Sequence, residues 1–505
     1  MQGKLIKPTS RKQMETPVTD YERIFHPRTL AIVGVSAEEN GVGFGVGMFR
    51  AIKMMGFEGE IFPVNPKGGT IAGLTIYKQV EDIPGNLDFA IITVAARLVP
   101  EVLEACRKKG AAGAEILSAG FSELNTEEGK DLENRIRQIA AGGIRVVGPN
   151  CFGIYCPKSG LTLLPGPDLS RQSGPVAFLS QSGGMAIDFA HAGNWMGIRF
   201  SKVVSFGNGA DLRETDLLHY LADDPETQVI SMYIEGIKDG NAFFEEIKAA
   251  ARKKPVVVLK GGLSLAGQRA VASHTASMGG SRIIWQSILK QVHAVQVSDT
   301  EEMAHASLAF AHLPQKTFKG ISIVGGGGAI GVTACDTAET HGMEIPQFPA
   351  DLQERIGSLL PKPGSSAVNP IDVANPFVDP QTLKEVLRLA AQDSRIDLQI
   401  IVSLLFHYKT IARMLNKPVA EVTPYRELAQ AVRDVVDQTG KPIIAVLRNA
   451  KRGVDNLDVT EMIALARREY LARGIPVFDE LHDAIRAIGH VNTYYKERKI
   501  ENEKK

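Results

Sequence analysis

Short apolar runs recur along this chain, separated by longer stretches in which apolar positions return every three or four residues. The first set of runs falls at residues 30–34, 60–64, 89–94, 114–117 and 145–148, with amphipathic stretches at 99–109 and 127–141 between them. Runs of this length, rich in Val, Ile and Ala, read as strands covered on both faces. Their alternation with helix-length segments predicts right-handed βαβ units around a parallel sheet. The alternation returns at 176–180, 203–205, 229–233 and 256–259, and again at 321–324, 398–405 and 442–447. Each set opens with a strand that leads into a Gly- or Ser-rich turn and then a helix. The expected fold class is α/β, with three doubly wound units in tandem at 21–150, 172–314 and 319–490. Polar tails are expected at 1–20 and 491–505, and a Pro/Gly-rich connector at 164–167.

Composition narrows the class of protein. A length of 505 residues suits about three ordinary domains, and 44% hydrophobic residues suffice for buried cores. The 57 basic and 57 acidic side chains cancel, so nothing calls for a nucleic acid or an anionic membrane as partner. Of Cys106, Cys151, Cys156 and Cys335, no two have the spacing of a metal-binding pair, so reduced structural thiols and no metal site are expected. The polar start and the strand-length apolar runs predict a soluble, cytoplasmic protein without a leader or membrane span.

Candidate chemistry gathers at the turns. His274 stands among small residues in 269–281, shortly after the apolar run 256–259, where an imidazole is accessible to a bulky anion. A lone histidine is also commonly a surface or structural residue. Ser180, Ser182, Gly183 and Gly184 lie between a strand and a helix, and orphan N–H groups with hydroxyl donors make an anion site there. Glu235, at the end of another strand, is a candidate carboxylate for the second ring nitrogen of the histidine. The turn Gly34, Val35 and Ser36 suits a pyrophosphate, although the glycines that follow depart from GxGxxG. After the second strand come Asn65, Pro66 and Lys67, where an NAD site would favour an acidic residue. They suit a phosphorylated ribose such as that of coenzyme A, with NADP and a plain exposed turn as alternatives. Gly325, Gly326, Gly327 and Gly328 invite close approach of a ligand or backbone, or form a hinge, and Asn369 could shape the same region.

Together, the segments 148–151, 179–183, 224–227, 233–236, 254–260 and 273–275 resemble those of the NDP-forming acyl-CoA synthetases, relatives of succinyl-CoA synthetase. The resemblance spans about 21–490. It implies a Rossmann-like CoA-binding domain, a ligase-CoA flavodoxin-like domain carrying a phosphohistidine, and a second flavodoxin-like domain. It implies that His274 is the phosphohistidine, that Glu235 orients it, and that Ser180, Ser182, Gly183 and Gly184 hold the phosphoryl group. Coenzyme A would be lined by Gly34, Val35, Ser36, Asn65, Pro66, Lys67, Val94, Ala95, Ala96, Ser118, Ala119 and Gly120, extending to Phe121. Acyl-CoA, NDP and phosphate would interconvert with a small carboxylic acid, CoA and NTP through an acyl phosphate. No ATP-grasp module is visible, so ATP or ADP and Mg would bind on a separate ATP-grasp β-type subunit in a hetero-oligomer. The four glycines replace an Asn-containing turn of the relatives, which leaves the acyl group open. A non-catalytic CoA-binding regulator or scaffold is the alternative, and an NAD(P) oxidoreductase ranks third.

Overall fold

Three sheets follow one another along the chain, each built from strands buried on both faces. The computed structural model describes residues 19–37, 43–164, 168–275 and 281–503, except for the side chains of 272–275 and 500–503. The first sheet comprises β1 (Thr29–Val33), β2 (Glu60–Val64), β5 (Phe89–Ile92), β6 (Gly113–Ile116) and β7 (Arg145–Val147), all parallel, in the order β2-β1-β5-β6-β7. A small hairpin, β3 (Thr70–Ile71) with β4 (Leu74–Thr75), interrupts it in sequence. The second sheet contains β8 (Gly153–Tyr155), β9 (Val176–Ser180), β10 (Phe200–Ser205), β11 (Val229–Ile234), β12 (Val256–Lys260) and β13 (Val295–Val297). Its order is β13-β12-β11-β9-β10-β8, with β8 alone antiparallel. The third, with β14 (Ile321–Gly325), β15 (Ile371–Asp372), β16 (Leu398–Ser403), β17 (Ile443–Leu447) and β18 (Val477–Phe478), is parallel in the order β15-β14-β16-β17-β18.

In all three, the first parallel strand lies between the second and the third. Connections therefore diverge on either side of one crevice at the carboxyl ends, between β1 and β5, β9 and β11, and β14 and β16. The α/β class and the three doubly wound sheets agree with the sequence pattern.

Two features differ from it. The segment after β7 supplies β8, a strand added across the boundary to the second sheet. The charged stretch after residue 490 is no tail, because the helix Leu481–Glu503 continues through it. Val491 and Tyr494 are buried, and the Tyr494 hydroxyl donates to Ala251 O at 2.8 Å. Its ring meets Phe310 edge-on at 5.6 Å, so this last helix docks on the second unit. Lysines and glutamates on the outer face hide the apolar stripe in the sequence.

Tyr494→Phe removes the buried hydrogen bond to Ala251 O and the one accepted from Arg498 Nη1 at 3.2 Å, and is expected to cost about 1 kcal/mol. Tyr494→Ala also deletes the ring and is expected to cost about 3–5 kcal/mol. Thermal unfolding of the full chain checks both, and equal midpoints for the three proteins would show that the helix does not dock there.

Candidate functional site

The crevice of the second sheet is laced together by Gln181, the residue after β9. Its Oε1 accepts from the backbone N–H groups of Glu235 and Gly236, the latter at 3.0 Å, and its Nε2 donates to Gly236 O at 2.7 Å. The β9 and β11 turns are thereby fixed to each other. Glu235 is buried, and its Oε1 accepts from the Tyr233 hydroxyl at 3.0 Å. Burial, together with the Glu235 carboxylate, holds the Tyr233 pKa above its ordinary value, so it stays a donor. Gly261 makes this possible, since a Cβ there would stand 2.7 Å from the Tyr233 oxygen. From β12, buried Lys260 donates to Glu235 O at 2.7 Å and also to Gly261 O. Burial pushes its pKa down to about 8, with the Glu235 charge opposing, and a neutral amine still has two hydrogens for the two carbonyls. His274 lies in the last turn of the helix Leu265–Thr275, which leaves this same edge. Its side chain lies outside the described residues.

Beside this crevice is a cavity of about 360 Å³ between the first and second units. The helix Gly183–Met196 opens into it, with Ser182 as its N-cap, accepting from Met185 N at 3.3 Å. Ser182, Gly183 and Gly184 line it together with Asn150, Asn208, Arg213 and Lys238. The last four are site residues that sequence reasoning missed, since they converge only in the fold. Burial first, then Arg213 and Arg137, lower the pKa of Lys238 from its ordinary value, with Glu133 and Glu214 opposing. With the positive end of the helix dipole, the cavity is built for an anion. Ser180 stands apart. It is fully buried, its hydroxyl donates to Ser182 O at 2.7 Å and accepts from Ser182 N at 3.1 Å, and it does not line the cavity. It shapes the turn.

At the crevice of the first sheet, the turns Gly34–Ser36, Asn65–Lys67, Val94–Ala96 and Ser118–Gly120 follow β1, β2, β5 and β6 in one row. Gly34 has φ of 110°, and Gly45 in the following helix packs directly on the Gly34 carbonyl, leaving no room for a Cβ. Gly45 thus takes the helix-packing role that GxGxxG gives its third glycine. The helix Phe44–Met55 has no side-chain cap. Several candidate polar groups are already engaged: Asn65 Oδ1 accepts from Lys67 N at 3.0 Å, the Ser118 hydroxyl donates to Val94 O, and Gly120 N donates to Glu123 Oε1 at 2.6 Å. Val35 is buried, so it offers only backbone. Pro66, Ala95 and Ala119 are exposed on this edge. Lys67 is exposed too, and its ammonium has no ion pair among the described residues. Glu123 is held ionised: burial works to raise its pKa, but N–H groups of Gly120 and Phe121 and the Asn208 amide bring it below its ordinary value.

In the third unit, Gly325, Gly326, Gly327 and Gly328 line a cavity of about 240 Å³ with Asp372, Ser366 and Leu481. Asn369 does not line it. Its Oδ1 accepts from Ile323 N at 3.1 Å, and its Nδ2 donates to Ile321 O at 2.8 Å and Pro346 O at 3.1 Å. Those bonds occupy the amide in holding β14, which removes it as a ligand-facing candidate. Among the described residues no helix is long and apolar enough to cross a membrane.

Three family descriptions match in succession. They are a CoA binding domain over 28–157, a succinyl-CoA ligase like flavodoxin domain over 173–310 and a Ligase-CoA domain over 321–456, so the last name covers the third unit. The ADP-forming acetate–CoA ligase I subunit alpha of Pyrococcus furiosus is 33% identical over 490 residues, 96% of this chain and 99% of that one. The ADP-forming acetate–CoA ligase I of Archaeoglobus fulgidus is 32% identical over 94% of this chain and 64% of that longer protein. Among solved structures, Ca. Korarchaeum cryptofilum dinucleotide forming acetyl-coenzyme A synthetase 1, in complex with phosphate and ADP, matches with a TM-score of 0.79. It is 28% identical over 96% of this chain and 99% of that one.

The cationic cavity yields an expectation of its own. Lys238→Met keeps the bulk and removes the charge, and a charge-assisted contact discounted for solvent at the rim is worth roughly 1.5 kcal/mol, about tenfold in affinity for inorganic phosphate. Wild-type affinity falls as pH rises through the Lys238 pKa, which lies below the ordinary lysine value, and that limb is absent in the variant. Calorimetry against phosphate at several pH values checks this. Identical affinities and profiles would remove Lys238 from the site.

Proposed function

The chain belongs to the NDP-forming acyl-CoA synthetases, and we propose that it is their α-type, acid–thiol ligase subunit, acting through acyl phosphate and phosphohistidine. The observation that carries this reading is the anion cavity at the junction of the first two units. There a helix N-terminus and two cations stand beside a carboxylate-bearing crevice, on a chain whose first unit matches a CoA binding domain.

The chemistry follows in three steps. Phosphate attacks the thioester carbonyl of acyl-CoA, the C–S bond breaks, and CoA leaves as the thiolate, giving acyl phosphate. A ring nitrogen of His274 then attacks phosphorus, and the P–O bond to the acyl group breaks to release the carboxylate. The phosphoryl group passes from His274 to NDP, which leaves as NTP and frees the imidazole. Glu235 orients the ring and balances its charge. The N–H groups opening the helix Gly183–Met196, with Ser182, Arg213 and Lys238, stabilise the equatorial phosphoryl oxygens, where charge accumulates in such a transfer. For CoA, the Gly34 turn and the uncapped helix Phe44–Met55 would take the pyrophosphate, and Lys67 the ribose phosphate. We assign NDP and its Mg to a separate ATP-grasp β-type subunit. In support, the relative named a subunit alpha matches this chain over nearly its whole length, while the longer relative extends beyond the match.

Mixed with that partner, Mg and phosphoryl-labelled ATP, the chain should acquire an acid-labile, base-stable label that His274→Ala abolishes. Label persisting in that variant would sink the assignment. Glu235→Gln keeps shape but loses charge, and phosphoryl transfer should slow by ~10²–10⁴ with CoA affinity unchanged. Unaltered turnover would return Glu235 to a structural role.

CoA should bind the chain more tightly than dephospho-CoA, by roughly 1.5–3 kcal/mol, and the gap should close in Lys67→Ala and shrink with salt. Calorimetry decides it. Tighter binding of NAD or NADP than of CoA would overturn the reading of the first unit while leaving the histidine test standing.

A further inference from the structure

The helix Thr300–His312, which closes the second unit, packs along the helix Leu481–Glu503, which closes the third. Where they meet, Glu301, His305 and Asp483 each bring a ligand-type atom within 4.8 Å of the others. Glu301 and His305 are four residues apart on one helix and share a face, while Asp483 comes from the other helix. The set exists only when the two units are docked. His305 is 1% exposed, yet neither ring nitrogen has a hydrogen-bond partner among the described residues. Asp483 Oδ1 stands 3.9 Å from its Nδ1, too far for a hydrogen bond. Burial of an imidazole with both nitrogens unused is costly, and a ligand that takes a nitrogen lone pair would relieve it.

We propose that Glu301, His305 and Asp483 form a divalent-metal site of the zinc class that clasps the second and third units together. The donor set selects the ion. Imidazole with carboxylates suits a borderline transition metal, whereas magnesium and calcium prefer oxygen alone. The spacing is close to what coordination needs. Three atoms within 4.8 Å of one another place a central ion at most about 2.8 Å from each, against roughly 2.0–2.2 Å for bound zinc, so each ligand atom must move inward by up to about 0.6–0.8 Å. Glu301 is exposed and on the rim, and its side chain can make that movement. Arg486 Nη2 donates to Asp483 Oδ1 at 3.0 Å, which orients that carboxylate. A water would complete the shell. The Arg486 charge opposes the ion, and the two carboxylates outweigh it. Glu302 is not a ligand: His490 Nε2 holds its Oε1 at 2.9 Å, and Ser298 N donates to its Oε2 at 2.7 Å.

The full chain, stripped by a chelator and kept in excess Mg, is titrated with Zn by calorimetry, and Co is used as a spectroscopic probe. Expected are one saturable Zn equivalent, a thermal midpoint that climbs with Zn, and a Co absorption of mixed nitrogen–oxygen ligation. Glu301→Gln, an exposed change that leaves the fold intact, should weaken Zn binding at least tenfold and flatten the thermal response. His305→Gln should abolish the Co band. Absence of saturable binding in the wild type overturns the proposal, as does wild-type affinity in both variants. If His305→Gln does not fold, Glu301→Gln alone decides.

Discussion

The arrangement depends on one buried carboxyl group. Glu115, on β6 of the first sheet, accepts from Ile154 N of β8 in the second at 2.9 Å, with no exposure to solvent to speak of. Burial raises its pKa well above the ordinary value, with the Ile154 N–H opposing, and so favours the neutral carboxyl over a buried charge. Gly153 must be glycine, since its φ is 87° and a Cβ would stand 2.6 Å from the Glu115 carboxyl. A second set of contacts locks the same joint. Asn208 N donates to Pro149 O at 3.0 Å, Ala210 N to Gly148 O at 2.9 Å, and Gly207 lies directly on the Asn150 carbonyl. Because the two sheets are held in this way, the carboxyl edge of the first faces the helix N-terminus of the second. The anion cavity is the space left between them.

Charge is handled differently on the two sides of that space. Beneath the cavity, Glu133 is buried but surrounded by donors from Ser122, Arg137 and Asn208, and Asn208 also donates to Glu123. The acidic groups there are spent on one another's supports. Arg213 is paired with Glu214, at 3.3 Å, while Lys238 is exposed at the rim. A chain of zero formal net charge therefore presents a locally positive cavity. The net figure excludes long-range partners of one sign but does not predict the field at a site.

The fold was largely legible because parallel sheets bury both faces, so strands such as β12 appear as unbroken Val and Leu runs. Turns at the crevices were legible for the same reason, since each follows the end of such a run. What a polar residue is spent on was not. Asn65, Asn369 and Ser180 have the right chemistry for ligands, yet their groups close local hydrogen bonds that no spacing rule reveals. Arg213 and Lys238 went unseen for the opposite reason, as nothing near them in sequence marks them. The strand β8 is three residues long and gains its place from antiparallel pairing with β10 and from Glu115, across a unit boundary. The stripe of Val491 and Tyr494 was masked by the charges around it.

Three copies of one topology show how little the fold decides about chemistry. Each crevice offers a glycine-containing turn and a helix N-terminus, so each can approach a ligand closely. The second adds a buried carboxylate, Glu235, held by Gln181 at the backbone and by Tyr233 at the side chain. The first offers an uncapped helix and an exposed lysine, suited to holding a polyanion rather than transforming it. The third replaces side-chain donors with four glycines, of which Gly325 is needed simply to let β14 approach Val402. Its cavity is lined by the glycines with Ser366, Asp372 and Leu481, the last being the first residue of the helix that docks on the second unit. That helix therefore borders the third cavity with its first residue and docks on the second unit through Tyr494.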